Sequence, residues 1–291
     1  MIKLKSIATF KDKQMVHLSV ITLTYNNIKY TKQYIESLYK YTQDFELIIV
    51  DNGSTDGTAE YVESLKYNNI KLIKNSENLG FSKGNNQAIK IADGEFIGFL
   101  NNDILLCSNW FEECEKVFSI NNAGFVSPRE IIPDMLYDFD QNYITYFKSL
   151  HYDNDCEISY KNCSFSCVIT KKNILDKIGL FNENYYPAYF EDDDMKCRAI
   201  ELGLELYVAN KACFYHHNAI TGKNNNYNFE KNKKLFWETY KYGKYLYVDK
   251  QERYDLLRLT NIYNMFPLKL TKKMLLFVMK IKNKLLRGFK K

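Results

Sequence analysis

Three groups of residues in this 291-residue chain have the types and spacing that could do chemistry. The first is a run of four acids, Glu191-Asp192-Asp193-Asp194, with Arg198 four residues past the last. Carboxylates this crowded repel one another, which raises one pKa and makes a better proton acceptor near neutral pH. If they open a helix, successive side chains point about 100° apart, so at most one or two can face a common cleft. Asp194 is also spaced for an i,i+4 ion pair with Arg198. Acids are equally what a helix N-terminus favours, so a purely structural role for the run stays open. The second group is Asn101-Asn102-Asp103, whose oxygens and single carboxylate suit a hard divalent cation, or simply a turn that ends a strand. The third is His216-His217, of which only one can face inward from an extended segment. A neutral imidazole there would suit Mn²⁺ better than Mg²⁺. Asp51, just ahead of Asn52-Gly53, could accept a hydrogen bond from a nucleobase imide or a ribose, or serve as a turn device.

The elements that must carry these groups are legible from periodicity. Leu18 to Leu23 is apolar and β-branched, and Thr31 then opens a helical pattern with Tyr34, Ile35, Leu38 and Tyr41 on one face. A second strand over Phe45 to Val50 runs into the turn cluster Asp51 to Gly57, where Thr55 or Asp56 can cap a helix bearing Ala59, Val62 and Leu65. A third strand covers Ile70 to Ile73, followed by a Gly- and Asn-rich loop over 75–85, a short helix to Ile91 and a fourth strand from Glu95 to Leu100. Such alternation predicts right-handed crossovers and a largely parallel sheet. Beyond it the periodicity predicts a helix over Ser108 to Ser119, strands over Gly124 to Ser127 and Ser164 to Thr170, a helix to Ile178, and an aromatic loop over Phe181 to Phe190. The acidic run then opens a helix to about Glu201, a strand covers Leu204 to Val208, and helices follow from Phe229. Residues 128–160 carry no assignable period. The polar groups fall at strand ends, where an open α/β sheet binds its ligands.

In this order the motifs resemble glycosyltransferase family 2 with its GT-A fold. Val20-Ile21-Thr22-Leu23-Thr24-Tyr25-Asn26, Val50-Asp51-Asn52-Gly53-Ser54-Thr55-Asp56-Gly57-Thr58, Asn78-Leu79-Gly80-Phe81-Ser82-Lys83-Gly84-Asn85-Asn86 and Phe99-Leu100-Asn101-Asn102-Asp103 match its nucleotide-binding half. Phe190-Glu191-Asp192-Asp193-Asp194 with Arg198, then Tyr215-His216-His217, match its acceptor half. The likeness covers about residues 16–222, and its wording is most similar to the rhamnosyltransferase-like and galactofuranosyltransferase-like branch. It implies inverting transfer of a sugar from a UDP- or dTDP-sugar to a hydroxyl of a glycan, a lipid-linked oligosaccharide or a protein. It also implies a divalent metal, Mn²⁺ or Mg²⁺, at Asp103 and His216. Asp192 is implied as the base with Asp194 in reserve, and Thr22, Tyr25, Asp51, Asn78, Gly84, Asn101 and Asn102 as nucleotide contacts. Lys83 could reach a phosphate. The rival from another class is a non-catalytic nucleotide-sugar-binding subunit tethered to a membrane, against which the presence of both Asp103 and Asp192 counts.

Charge separates a body from a tail. The net charge is +5, yet nine Lys and Arg follow Pro267 with no acid among them, and setting those aside leaves the rest at about −4. The body is therefore not built to bind nucleic acid. Wound as a helix, residues 267–291 place Leu270, Met274, Phe277, Val278, Ile281, Leu285 and Phe289 on one face and basic residues on the other. That pattern fits an in-plane contact with an anionic inner leaflet, a partner protein, or packing on the domain. The expected organisation is a catalytic domain over 1–222, a helical region over 223–266 and the basic amphipathic tail. Seven cysteines without a CxxC pair, and no apolar run long enough for a signal peptide or a span, predict a cytoplasmic protein, either free or peripheral on the inner membrane face.

Overall fold

The computed structural model describes residues 16–133, 142–217 and 229–240. The parallel half of the sheet is built from β1 (Leu18–Thr24), β2 (Phe45–Asp51), β3 (Ile70–Lys74) and β4 (Phe96–Leu100), connected by α1 (Ile28–Tyr41), α2 (Thr58–Ser64) and α3 (Gly80–Ile89). β1 pairs in parallel with β2 and β4, and β2 with β3. Side chains alternate along β2: Leu47 and Ile49 enter the core shared with α1, while Ile48 and Val50 enter the one shared with α3. Both faces of the strand are thus covered, which is why the run reads as continuously apolar. Tyr34, Ile35 and Leu38 of α1 are essentially fully buried, each contributing about 1.5–3 kcal/mol on a transfer basis.

The second half comprises β5 (Ile104–Leu106), α4 (Trp110–Val117), β6 (Ala123–Ile131), α5 (Tyr143–Ser149), β7 (Cys156–Ile158), β8 (Cys167–Lys171), α6 (Lys172–Ile178), α7 (Glu191–Glu201), β9 (Glu205–His216) and α8 (Phe229–Thr239). The sheet runs β3-β2-β1-β4-β8-β6-β9-β5, with β7 paired to the outside of β9. β8 is antiparallel to β4 and β6, β5 and β7 are antiparallel to β9, and β6 is parallel to β9. The sheet is therefore parallel through β4 and mixed beyond it.

Several elements differ from expectation. The unassigned stretch 128–160 holds the end of β6, α5 and β7, and β5 follows directly on Asp103. These pieces are three to seven residues long or hydrogen-bond to strands remote in sequence, so no local period announces them. β9 extends eight residues past Val208, which puts His216 in the strand rather than after it. α3 begins at Gly80, so Gly84, Asn85 and Asn86 are helical rather than part of a loop. Among the described residues no helix is long and apolar enough to cross a membrane. The tail 267–291 and the boundary at 222 lie outside the described residues.

Candidate active site

At the carboxyl edge of the parallel half, turn residues tie neighbouring strands together. Thr24 Oγ1 donates to Asp51 Oδ2 at 2.8 Å and the Ser54 N–H to Asp51 Oδ1 at 2.9 Å, while the Asn52 amide N–H donates to the Thr24 carbonyl. Asp56 accepts from the N–H groups of Ile28 and Thr58, so one carboxylate joins the starts of α1 and α2. Those bonds outweigh its partial burial and hold its pKa below the usual carboxylate value.

These ties frame a cavity of about 180 Å³ lined by Leu23, Thr24, Tyr25, Asn52, Asn78, Gly80, Phe81, Asn101, Asn102, Asp103 and the segment Pro187–Tyr189. The far wall is clamped in place: the Phe81 N–H donates to the Pro187 carbonyl at 2.8 Å, Tyr186 Oη to the Asn78 carbonyl at 3.2 Å, and Asn232 of α8 to the Ala188 carbonyl at 2.8 Å. Gly80 sits at φ +81°, and a Cβ there would lie 2.8 Å from the Pro187 carbonyl oxygen, so only glycine admits this contact. A second cavity of about 290 Å³ adjoins the first, sharing Phe81, Asn101 and Tyr189 with it. It is lined also by Glu130, Lys161, Cys163, Ser164, Phe165, Ser166, Glu191, Asp192 and Lys196. Each alone is below the roughly 300–1,000 Å³ of an ordinary ligand pocket, so a two-substrate reaction needs both. Tyr189 and Phe190 carry left-handed backbone, φ +80° and +73°, a cost of order 1–3 kcal/mol each of the kind that concentrates at functional sites.

Asp103 and His216 come together where β5 begins beside the end of β9. Ile104 pairs with His216, and the Asp103 carbonyl accepts the His217 N–H at 3.0 Å. His216 Nε2 lies 3.3 Å from Asp103 Oδ1, and Nδ1 lies 2.5 Å from Glu130 Oε1. Burial alone would lower the imidazole pKa, but bonding to Asp103 and Glu130 together with their charges prevails and raises it to about 9. The buried Nε2 has no well-formed hydrogen-bond partner, although a carboxylate oxygen is close. Two hard-to-intermediate donors converging on one point fit a divalent cation that takes its remaining ligands from a diphosphate. No group of three or more His, Cys, Asp or Glu side chains gathers for a metal among the described residues. His217 is turned away, against the rings of Tyr30 and Tyr215.

The acidic run divides as its helical spacing implies. Glu191 and Asp192 line the second cavity, with Asp192 Oδ2 3.8 Å from the ammonium of Lys196, whose side chain is 5% exposed. Asp194 faces away. Its carboxylate takes Arg198 at 2.8 and 2.9 Å and Tyr240 Oη at 2.9 Å, all within the core of α7 and α8. Both carboxylate oxygens of Asp194, the residue expected in reserve as base, are thus bound, and it lines neither cavity.

Three of the expected nucleotide contacts, Thr22, Gly84 and Asp51, line neither cavity. Thr22 is fully buried with its hydroxyl 2.6 Å from Tyr34 Oη, so it serves the core beneath α1, and Thr24 faces the cavity instead. Gly84 lines neither cavity: a Cβ there would meet Leu23 Cδ2 at 2.8 Å, and its role is the close packing of α3 on β1. Asp51 is 2% exposed with both oxygens bound as described, and also lines neither cavity. Tyr25, Asn78, Asn101 and Asn102 do line the first cavity, Asn102 with its amide donating to Thr31 Oγ1 at 3.0 Å. Lys83 is exposed and lines neither. The residues that sequence reasoning missed are Glu130, Lys161, Ser164, Ser166 and Lys196. Only Lys196 carried a signal, as a cation four residues after Asp192 on one helix.

Comparison with known proteins bears on the family and the fold. A model of Glycosyl transferase family 2 matches residues 19–179. An uncharacterized glycosyltransferase of Rickettsia bellii is 27% identical over 188 residues, which are 64% of this chain but only 26% of that protein. WfaP of Escherichia coli, a UDP-Glc:α-D-GlcNAc-diphosphoundecaprenol β-1,3-glucosyltransferase, is 28% identical over 61% of this chain and 66% of its own. The crystal structure of Staphylococcus aureus TarS 1–349 superposes with a TM-score of 0.60 at 20% identity, covering 84% of this chain and 70% of that one. TarS 1–349 has also been solved with UDP and with UDP-GlcNAc. The likeness to it shows a GT-A fold.

Proposed function

Because this chain belongs to glycosyl transferase family 2, we propose that the paired cavities carry out inverting transfer of a sugar from a nucleoside diphosphate donor to a hydroxyl of a cell-surface glycan. The observation that carries this reading is the adjacency of the two cavities across Phe81, Asn101 and Tyr189, with Asp103 and His216 beside the first and Asp192 in the second. The nucleoside diphosphate lies along Tyr25, Asn78, Asn101 and Asn102, with Asp51 beneath them as the turn that holds Thr24 and Ser54. Asp103 and His216 hold a divalent cation, Mn²⁺ or Mg²⁺, which would neutralise the departing diphosphate. The acceptor occupies the second cavity, where Asp192 takes the proton of its hydroxyl. The acceptor oxygen then bonds to the anomeric carbon from the face opposite the diphosphate, and the carbon–oxygen bond to phosphate breaks with its electron pair leaving on the diphosphate. Tyr189, at the junction, is placed to stack on the moving ring.

WfaP is named for UDP-Glc and TarS has been solved with UDP-GlcNAc, which supports a UDP-hexose ahead of the dTDP-rhamnose or UDP-galactofuranose suggested by the motif wording. WfaP is also named for a diphosphoundecaprenol-linked acceptor, which supports a lipid-linked oligosaccharide over a protein hydroxyl. Such an acceptor would place the protein at the inner membrane face. The decisive variant is Asp192→Asn. It should bind UDP- or dTDP-sugars as the parent does and lose about 10²–10⁴-fold in transfer rate, the usual worth of a general base. Parent-like turnover would remove Asp192 from the mechanism. Calorimetry with UDP-, dTDP- and GDP-sugars, with and without Mn²⁺, names the donor, and failure of every one to bind would favour the non-catalytic subunit.

A further inference from the structure

Glu130 appears in none of the motifs above, yet it makes the shortest contact of His216. The reason lies in an irregularity between β6 and β9. Pairing runs regularly from Phe125 with Leu206 to Pro128 with Ala209 and resumes at Arg129 with Cys213, so Asn210, Lys211 and Ala212 are extra residues on β9. Had the earlier register continued, Glu130 would stand opposite Lys211, a residue that shares its face with Tyr215 rather than His216. In the register observed Glu130 stands opposite Phe214, two residues before His216 on the same strand, so Glu130 and His216 project from one face of the sheet. The bulge is itself held: Asn210 Oδ1 accepts from Arg129 Nε and Nη2 at 3.0 and 2.6 Å, and Asn210 Nδ2 donates to the Asn154 carbonyl at 3.0 Å.

The geometry points to Glu130 as a positioning residue for the metal ligand. Its Oε1, 2.5 Å from His216 Nδ1, accepts the proton of that nitrogen, leaving Nε2, the buried atom without a well-formed hydrogen bond, directed at Asp103 Oδ1 3.3 Å away. A histidine so held cannot turn its ring about the Cβ–Cγ bond without giving up a short, charge-assisted contact. Carboxylates in this outer position fix ring orientation and tautomer, and their loss typically costs 10–100-fold in metal affinity. Glu130 also lines the acceptor cavity, with its side chain 28% exposed, so the strut that orients His216 is reached from the side on which Asp192 lies. This inference rests on the metal reading of Asp103 and His216 proposed above.

The test is a titration of the full chain with Mn²⁺, alone and with UDP or dTDP added, following paramagnetic broadening of the His216 ring protons, which are assignable among four histidines. Glu130→Met keeps the side-chain length but cannot accept the proton, and should require about 10–100-fold more Mn²⁺ than the parent for the same broadening. Glu130→Gln retains an acceptor oxygen and should recover most of that loss. Long-range ¹H–¹⁵N spectra of the metal-free proteins at about pH 10, above the pKa of about 9 at His216, should show the proton on Nδ1 in the parent and Gln proteins and divided between the nitrogens in the Met protein. Equal broadening of parent and Met proteins overturns the role of Glu130 while leaving the metal site standing. A His216 signal that stays sharp in the parent at millimolar Mn²⁺, with and without the nucleotide, overturns the metal reading and this inference with it.

Discussion

The two halves of the sheet solve the same problem, bringing polar groups to a strand edge, by different means. In the half from β1 to β4 each functional turn is made by the residues that immediately follow a strand, and the ties between turns run from Thr24 to Asp51 and from Asn52 to Gly80 along parallel neighbours. In the half from β5 to β9 the important contacts join residues far apart in the chain: Asp103 with His216, Glu130 with His216, and Asp194 with Tyr240. The floor of the first cavity is therefore a property of local turn chemistry, while its Pro187–Tyr189 wall and the second cavity are properties of register and helix docking. Damage to the first should appear mainly as altered ligand binding, and damage to the second as lost stability or misplaced catalytic groups.

The largest effect that sharpens this contrast is expected at Arg198. Its guanidinium pairs with Asp194, which is 4% exposed, and donates from Nη1 to the Ile178 carbonyl at 2.7 Å, so it joins α7 to the end of α6. Removing one partner of a buried pair leaves an uncompensated charge, which typically costs 3–5 kcal/mol. Arg198 is 24% exposed, so Arg198→Ala should lose about 3 kcal/mol in denaturant unfolding, the lower end of that range. Asp194→Asn should likewise be less stable while the folded enzyme keeps its turnover. A stable Asp194→Asn protein with a hundredfold lower rate would return Asp194 to the chemistry and dissolve the distinction drawn between it and Asp192.

Gly80 tests the seam between the halves. Alanine there would adopt left-handed backbone, costing of order 1–3 kcal/mol, and would press its Cβ on the carbonyl oxygen of Pro187 and the ring of Tyr186. The expected outcome of Gly80→Ala is a loss of that size in thermal or denaturant stability together with weaker nucleotide-sugar binding, because Pro187, Ala188 and Tyr189 wall the first cavity. Weaker binding without destabilisation would show that the clamp belongs to the site alone.

Legibility in the sequence follows the same division. β1 to β4, the aromatic loop and the start of α7 all rest on patterns within about fifteen residues, and periodicity with turn chemistry suffices to place them. The family likeness singled out Asp192, helical spacing offered Asp194 an ion pair with Arg198, and the structure bears out that pair. Glu130 was out of reach because β6 continues through Pro128, a residue that ordinarily argues against an interior strand, and because its partner is chosen by a bulge on a strand some eighty residues on. β5 and β7, three residues each, carry too little pattern to stand out from turns. Thr22 misled for a different reason: it shares a face of β1 with Thr24, so alternation does not separate the two, and only the strand end, where the cavity opens at Thr24, does.

The pair Thr22 and Thr24 supplies the smallest test, and one confined to the first half. Thr22→Val keeps the shape of the side chain but leaves Tyr34 Oη, whose ring is fully buried, without its hydroxyl partner. A buried polar group so stranded costs about 1–3 kcal/mol, and burial already pushes the Tyr34 phenol well above its ordinary pKa, so it cannot relieve the loss by ionising. Stability should fall by about 1 kcal/mol, toward the lower end because the Tyr34 hydroxyl can still turn, with nucleotide-sugar affinity unchanged. Thr24→Val should do the reverse, since it releases Asp51 Oδ2 at the cavity edge and alters the surface that a donor touches. Measured side by side by calorimetric titration and denaturant unfolding, the two substitutions should cross. If Thr22→Val weakened donor binding at unchanged stability, the hydroxyl would have to leave Tyr34 and enter the cavity when the donor arrives, and β1 would be a moving part of the site rather than its fixed floor.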